Sequence, residues 1–217
     1  MAELHDTTEE YLETILALEE EGVTPLRARL VERLGLSAAA VSETIGRLSD
    51  QGFVELAGDR SLNLTDKGRH LATTVVRRHR LAERLLTDVI GLEWEKVHRE
   101  AARWEHAISA DVEEKLVQLL GDPATCPHGN PIPGTKRAVR PQATIALAKS
   151  EAGKVTVARI SEKLELSDDG LNFVATANLV PGATATVMGT EAGGVRVRTD
   201  SGEHVVPTKV AEQLYVS

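Results

Sequence analysis

The chain has 217 residues, 41% of them hydrophobic, 27% charged and only 3% aromatic, with a net charge of −8. That balance fits a globular protein of one large or two to three small domains with a core of Leu, Val, Ile and Ala, and it excludes indiscriminate coating of nucleic acid, though not DNA binding by a local arginine cluster. The single cysteine, Cys126, excludes an internal disulfide and fits a reducing cytoplasm, while the acidic start and the absence of any apolar run near ~18 residues argue against a signal peptide or a membrane span.

Residues 7–20 are predicted to form an amphipathic helix, with Thr7 or Thr8 as its cap and Glu10 as a capping-box partner of Thr7. Thr24 and Pro25 announce a second helix over about 26–34, which Gly35 ends. Ser37 caps a third helix over about 38–50, closed by Gly52. Two short helices around a glycine-containing turn form the helix-turn-helix pattern. Alternating apolar residues in Phe53–Leu56 and Leu62–Leu64, separated by the turn-forming "AGDRS", then predict a two-stranded hairpin, hence a wing.

Thr65 or Asp66 starts a long helix to about residue 90, stopped by Gly91, and residues 93–120 read as a second long helix. "GDPATCPHGNPIPGTKRAVRPQ" is a Pro/Gly-rich boundary. Beyond about residue 143 the period shortens. "TIALA", "KVTVARI", "FVATANLV", "ATATVMG", "GVRVRTD", "EHVVP" and "EQLYVS" predict a small all-β barrel. The expected fold is mostly α with a small β domain. It comprises a winged helix-turn-helix over 1–73, a helical domain over 74–140 and a β-barrel over 144–217.

The two long helices carry chemistry. His79 and Glu83, four apart, share a face, as do His98 and Glu105, seven apart, with His106 adjacent. Two antiparallel helices can present His79, Glu83 and His98 to one ion. The competing reading pairs Glu83 with Arg80 or Arg84 and leaves the histidines solvated. His5, His70, His128 and His204 fall outside these constellations and read as surface residues, and Cys126 reads as structural or inert.

The order and wording of the segments add a family likeness. "DTTEEYLETI", "EEEGVTPLRARL", "DRSL", "RHRLAERLLTDVIGL", "VHREAARWEH" and "GNPIPG", in sequence over residues 6–134, resemble the diphtheria toxin repressor family of metal-dependent transcriptional repressors. The terminal region is similar in pattern to that family's SH3-like domain. The resemblance implies a cytoplasmic homodimer, with two dimers per operator possible, that binds a divalent metal and then palindromic operator DNA. It also implies two metal sites per subunit. An ancillary site would use His79, Glu83 and His98, completed by Glu162 and Glu165 from "RISEKLELS". A primary, activating site would use Glu105 and His106 with Glu10 from the first helix and the backbone carbonyl of Ala102.

At that primary site the chain departs from the iron-responsive branch, which has methionine where Glu10 stands and cysteine where Ala102 stands. Glu10 is instead similar to the manganese-responsive branch, which has a second acid at the position of Glu13. That branch also has a third acid where this chain has Ala102, so the site is a hybrid. Oxygen ligands suit Mn²⁺ and sulfur favours softer metals. Mn²⁺ is therefore the expected ion, with Fe²⁺ the alternative. Glu13 is one turn from Glu10 and could join it with Asp6; as a plain surface acid it would do neither.

For DNA, the third helix is the expected recognition helix. Ser37, Ala39, Ala40, Ser42 and Glu43 would face the major groove. Small side chains there favour thymine methyl contacts and shape readout over base hydrogen bonding, and Glu43 would accept from cytosine or repel phosphate. Arg27, Arg29, Arg47 and Arg60 are the expected phosphate clamps, helped by Ala28 and by the hydroxyls of Thr7 and Ser42. Glu32, Asp50 and Asp59 compete for those arginines. A metallohydrolase is the alternative from another class, but HExxH, a nucleophile elbow and a Gly-rich phosphate loop are all missing. A third reading is an architectural DNA binder with vestigial metal residues.

Overall fold

The computed structural model describes residues 2–137 and 144–217, with side chains from Thr7 onward. The expected boundary between 140 and 144 lies outside the described residues, as do the side chains of His5 and Asp6. The chain divides into two compact units, residues 1–78 and 79–217.

In the first unit, helix α1 spans Ala2–Glu20, α2 spans Arg27–Leu34 and α3 spans Ala38–Asp50. Tyr11, Leu12 and Ile15 of α1 pack with Leu30 of α2 and with Val41, Ile45 and Leu48 of α3 in one core. This is the 3.6-residue periodicity of the sequence turned into a buried seam. Gly35, at φ 65°, ends α2 and donates its N–H to Val31. Ser37 then accepts from Ala40 N at 3.2 Å and starts α3. The start of α1 corrects one expectation. Thr7 and Glu10 lie inside the helix, so they form no capping box, and Glu10 has no capping role to compete with metal binding. Strands β1 (Val54–Leu56) and β2 (Leu62–Leu64) pair antiparallel as the predicted wing, with Val54 opposite Leu64. At the wing tip Arg60 takes a left-handed φ of 69°, uncommon for a side chain that is neither Gly nor Asn.

Helix α4 spans Asp66–Leu85 and is followed by a wider helical turn over Leu86–Ile90. The sequence placed one helix over 93–120, and the second unit breaks it. A short 3₁₀ turn, Trp94–Lys96, leads into α5 (Val97–Trp104), the chain turns at Glu105–Ser109, and α6 runs Ala110–Leu120. The reason is local. Ser109 caps α6 by accepting from Val112 N at 3.3 Å, so a new helix starts where the apolar spacing alone reads as continuous. Leu81, Leu86, Val97, Ala101, Ile108 and Ile132 close the core around these helices.

The C-terminal sheet has six antiparallel strands in the order β3-β8-β4-β5-β6-β7, from β3 (Ile145–Ala146), β4 (Gly153–Ile160), β5 (Thr184–Glu191), β6 (Gly194–Thr199), β7 (Gly202–Pro207) and β8 (Leu214–Val216). This region is not all β. Three short helices, α7 (Glu162–Glu165), α8 (Asp168–Thr176) and α9 (Thr208–Ala211), are set into it. "FVATANLV" was expected as a strand and lies largely in α8. Ser167 accepts from Gly170 N, two acids fill the first turn, and Leu171 and Val174 are buried three apart, all of which favour helix. "TIALA" contributes a strand of only two residues before a 3₁₀ turn.

Candidate metal centre

The second unit gathers its titratable groups at the end of α4, along α5, in the loop after α6 and on α7. His79 and Glu83 lie one turn apart on α4 and are both buried. His98 projects from α5, and Glu165 closes α7. The salt bridge between Arg99 and Asp168 joins α5 to α8 beside them. One ligand atom from each of His79, Glu83, His98 and Glu165 can be chosen so that all four lie within 4.8 Å of one another.

The contacts are dense. His79 Nε2 is 3.2 Å from Glu83 Oε1 and 3.0 Å from His98 Nδ1, while His79 Nδ1 donates to Glu105. His98 Nδ1 is 2.9 Å from Glu165 Oε2. Glu165 also accepts from Asn130 Nδ2 at 2.6 Å. Arg80 and Arg84, the alternative partners of Glu83, both reach backbone carbonyls, and Arg84 also pairs with Asp88 at 3.5 Å. Arg80 donates to Pro131 O at 2.5 Å and Arg84 to Thr125 O at 2.7 Å. Glu162 opens α7, is half-buried, and is outside the four-residue donor set.

His128 corrects the sequence reading. Expected on the surface, it is fully buried, with Nδ1 2.9 Å from Glu83 Oε1 and 3.4 Å from Glu165 Oε2. The signal was present as a Cys-x-His spacing inside the proline-rich turn "CPHGNP", but its partner Glu83 is 45 residues away. Asn130 was missed for the same reason. His70 is exposed, and His204 is half-buried against Phe173 with its Nε2 2.9 Å from Ser201 Oγ.

Electrostatically, imidazolium and carboxylate hold each other charged. Burial pulls His98 down, but hydrogen bonds to Glu165 and Glu83 more than offset it and raise its pKa to about 10. His79 is raised well above its ordinary value, burial being outweighed by Glu83 and Glu105, and His128 is raised by Glu83 and Glu165. Burial pushes Glu83 up, and the charges of His128 and His79 bring it well below the usual carboxylate range. Burial and the two carboxylates push the Cys126 thiol up. A divalent ion can replace those protons, since its ligands must be deprotonated imidazole and carboxylate.

The donor set fits such an ion. Two atoms, Glu83 Oε2 and His128 Nε2, are buried without a hydrogen-bond partner. Leaving a buried polar group unsatisfied costs about 1–3 kcal/mol, and a cation relieves that cost. Carboxylate and imidazole donors are those that first-row divalent metals take. Beside this cluster, Glu105 is buried, and its Oε1 is 3.2 Å from Nε2 of the more exposed His106. Ala102 is exposed on α5. In the first unit Glu10 is exposed and Glu13 half-buried on α1.

The expected DNA-facing residues lie on the first unit as follows. Ser37, Ala39, Ser42 and Glu43 are exposed along α3, with Ala40 half-buried. Ala28 is exposed on α2, and Thr7 is half-buried on α1. Arg29 pairs with Glu32 at 3.0 Å, both largely exposed. Arg27 and Arg47 are half-buried, each with a buried Nε that has no partner. Arg60 stands exposed at the wing tip, next to the turn in which Asp59 Oδ1 accepts from Ser61 N at 3.0 Å.

Residues 3–62 match the family model "Iron dependent repressor, N-terminal DNA binding domain", and residues 65–134 match "Iron dependent repressor, metal binding and dimerisation domain". The chain is 48% identical over 227 residues to the iron-dependent repressor IdeR of Mycobacterium tuberculosis, covering 100% of this chain and 99% of that one. It is 47% identical over 196 residues to the diphtheria toxin repressor of Corynebacterium diphtheriae, covering 87% of each. Among solved structures, a manganese-dependent transcriptional repressor in complex with manganese superposes with a TM-score of 0.84 at 33% identity, covering 96% of this chain and 98% of that one.

Proposed function

This chain belongs to the iron-dependent repressor family, and from that membership we propose a manganese-activated repressor that binds palindromic operator DNA as a homodimer. Family members are metal-dependent transcriptional repressors rather than enzymes. Among the described residues no helix is long and apolar enough to cross a membrane, and the proposed setting is the cytoplasm.

The observation that carries the choice of Mn²⁺ is the pair Glu10 and Ala102, an oxygen donor and a bare methyl where the iron-responsive branch carries two sulfur ligands. Mn²⁺ stands at the weak end of the divalent affinity order, so its regulator must gain selectivity from oxygen-rich ligation. In this reading the activating site takes Glu10, Glu105, His106 and the Ala102 carbonyl. The ancillary site takes His79, Glu83, His98, Glu162 and Glu165. The buried, closely spaced carboxylate and imidazole groups of the second unit support a site for a divalent ion there. The bound ion supplies a fixed dipositive charge that offsets the mutual repulsion of the carboxylates. An ion bound more tightly by the DNA-competent state would shift the population toward operator binding. Ser37, Ala39, Ala40, Ser42 and Glu43 then face the bases, with Thr7, Arg27, Ala28, Arg29, Arg47 and Arg60 on the backbone and two dimers seated per operator. Iron is the second reading, because relatives at 48% identity are named iron-dependent repressors.

The test is anaerobic operator binding titrated with Mn²⁺ and with Fe²⁺. Mn²⁺ is expected to activate at the lower free concentration, and equal or better activation by Fe²⁺ would overturn the assignment. The double substitution Glu10→Met with Ala102→Cys is expected to move the preference toward the softer ion by at least tenfold, about 1.4 kcal/mol. An unchanged preference would show that these two positions do not set it.

A further inference from the structure

We propose that Arg159, on strand β4, is a positioning residue of the buried metal centre: through the side-chain amide of Asn130 it fixes which oxygen of Glu165 is left for the ion. The inference rests on the reading of that centre as a divalent-ion site but not on manganese as the activating ion.

Hydrogen-bonding capacity sets the direction of every link. A guanidinium only donates and an ionised carboxylate only accepts, while an amide side chain has one end of each kind. Arg159 Nη1 donates to the side-chain oxygen of Asn130 at 3.3 Å. The amide nitrogen is thereby turned toward Glu165, and Nδ2 donates to Glu165 Oε1 at 2.6 Å. With Oε1 occupied, the other oxygen, Oε2, faces His98 Nδ1 at 2.9 Å and His128 Nδ1 at 3.4 Å. Asn130 and Glu165 are both buried, where a lost hydrogen bond is costly. Without the guanidinium, the amide oxygen loses this donor and the amide is free to turn away from Glu165.

The fold accounts for where Arg159 stands. Strand β4 is irregular against β8: Val157 is opposite Val216 and Arg159 opposite Tyr215, so two steps on β4 match one on β8. A bulge of this kind re-aims a side chain. The guanidinium carbon lies 4.0 Å from the centre of the Tyr215 ring, a cation–π contact that holds the long side chain in place. The loop carrying Asn130 lies against the same strand. Ile160 N donates to His128 O at 3.0 Å, and Gly129 has no side chain where a Cβ would stand 2.1 Å from Ala158 O. Tyr215, Arg159, Asn130 and Glu165 thus form one line of contacts from β8 to the metal centre.

Charge and positioning predict opposite signs. A guanidinium repels a dipositive ion, so if its charge alone mattered, removing it would tighten metal binding. Positioning predicts the reverse, a loss of about tenfold to hundredfold in affinity, as for other residues that orient metal ligands.

Mn²⁺ binding to the full-length protein, followed by the electron paramagnetic resonance signal of the free ion, tests this at the site lost in Glu165→Gln. Arg159→Met is expected to weaken Mn²⁺ there by about tenfold, and Arg159→Lys, which keeps a donor, to restore most of that loss. Arg159→Met should cost nothing further when Asn130→Ala is already present, because the link it acts through is gone. In the metal-free protein the side-chain amide proton resonance of Asn130, identified by its loss in Asn130→Ala, should move upfield in Arg159→Met, a readout of orientation that needs no ion. Equal or tighter Mn²⁺ binding in Arg159→Met, no recovery in Arg159→Lys, an additive loss in the Asn130→Ala background or an unmoved amide resonance would overturn the proposal. A wild type that binds no Mn²⁺ through Glu165 would overturn it together with the metal reading of this centre. Operator binding by Mn²⁺ and Fe²⁺ on the same samples separates the remaining cases. Better activation by Fe²⁺ alongside the expected Arg159 pattern sinks only the manganese assignment, and Mn²⁺ activation with Arg159→Met binding as tightly as wild type sinks only this one.

Discussion

His98 shows how one residue ties folding to metal loading. Burial alone would keep it neutral, but Glu165 and Glu83 hold its proton up to about pH 10. A histidine raised above its ordinary 6.5 contributes stability that is fully present below pH 6.5 and lost as pH climbs toward 10. Glu83, depressed below its ordinary 4.5, contributes in the opposite sense, with stability present above pH 4.5 and lost on acidification. The metal-free protein is therefore expected to have its highest thermal midpoint between these limits, declining from neutral pH toward 10, as pH-dependent calorimetry would show. The ion competes with the same protons, so metal affinity is expected to rise with pH across that range. Titration calorimetry at pH 7.5 in buffers of different ionisation enthalpy should show net proton release on metal binding at this centre, because His79 and His98, both raised above 6.5, must lose their protons to ligate the ion. Glu165→Gln should shrink that release by lowering the proton affinity of His98.

At the scale of the element, the loop between α6 and β3 decides more than its irregular look suggests. Gly129 sits at φ 86°, and a Cβ there would stand 2.1 Å from Ala158 O and 2.9 Å from Arg159 Cβ. Both the conformation and the close backbone approach call for glycine. Gly129→Ala is expected to cost on the order of 1–3 kcal/mol from backbone strain alone, more if strand β4 must move. Because His128 and Asn130 flank it, the substitution should also weaken metal binding at the buried centre, measured by equilibrium dialysis. Unchanged metal affinity with a lowered thermal midpoint would mean the loop supports the fold without positioning ligands. The break between α5 and α6 is the other decision at this scale, for it ends α5 at the residue before Glu105 and leaves His106 in a turn rather than on a helix face.

For the molecule as a whole, a net charge of −8 sets the terms on which DNA can be held. Attraction must come from a few arginines against an unfavourable background, so binding should be modest without metal and steeply salt-dependent with it. Arg60 at the wing tip is the cleanest probe, being exposed and far in sequence from the metal ligands. Arg60→Ala is expected to reduce the slope of log K against log salt by about 0.9 per protomer bound, while leaving the preferred operator sequence unchanged. A slope that stays the same would remove Arg60 from the phosphate contacts.

The sequence by itself determined the helix-turn-helix, the wing and the end of each early helix, because capping by Ser37, the left-handed stop at Gly35 and a 3.6-residue apolar stripe act over a few neighbouring residues. It also determined that His79, Glu83 and His98 are candidates for one ion, since four-residue spacing on a helix fixes a shared face. Only the tertiary structure decided that His128 belongs with them, that Asn130 supports Glu165, and that α8 is a helix amid strands. The reason is physical: whether a histidine is a solvated surface group or a buried ligand depends on which carboxylate meets it, and that partner comes from 45 residues away. Local periodicity carries no information about such a pairing, and the energy of burying charge against charge appears only once the chain has closed.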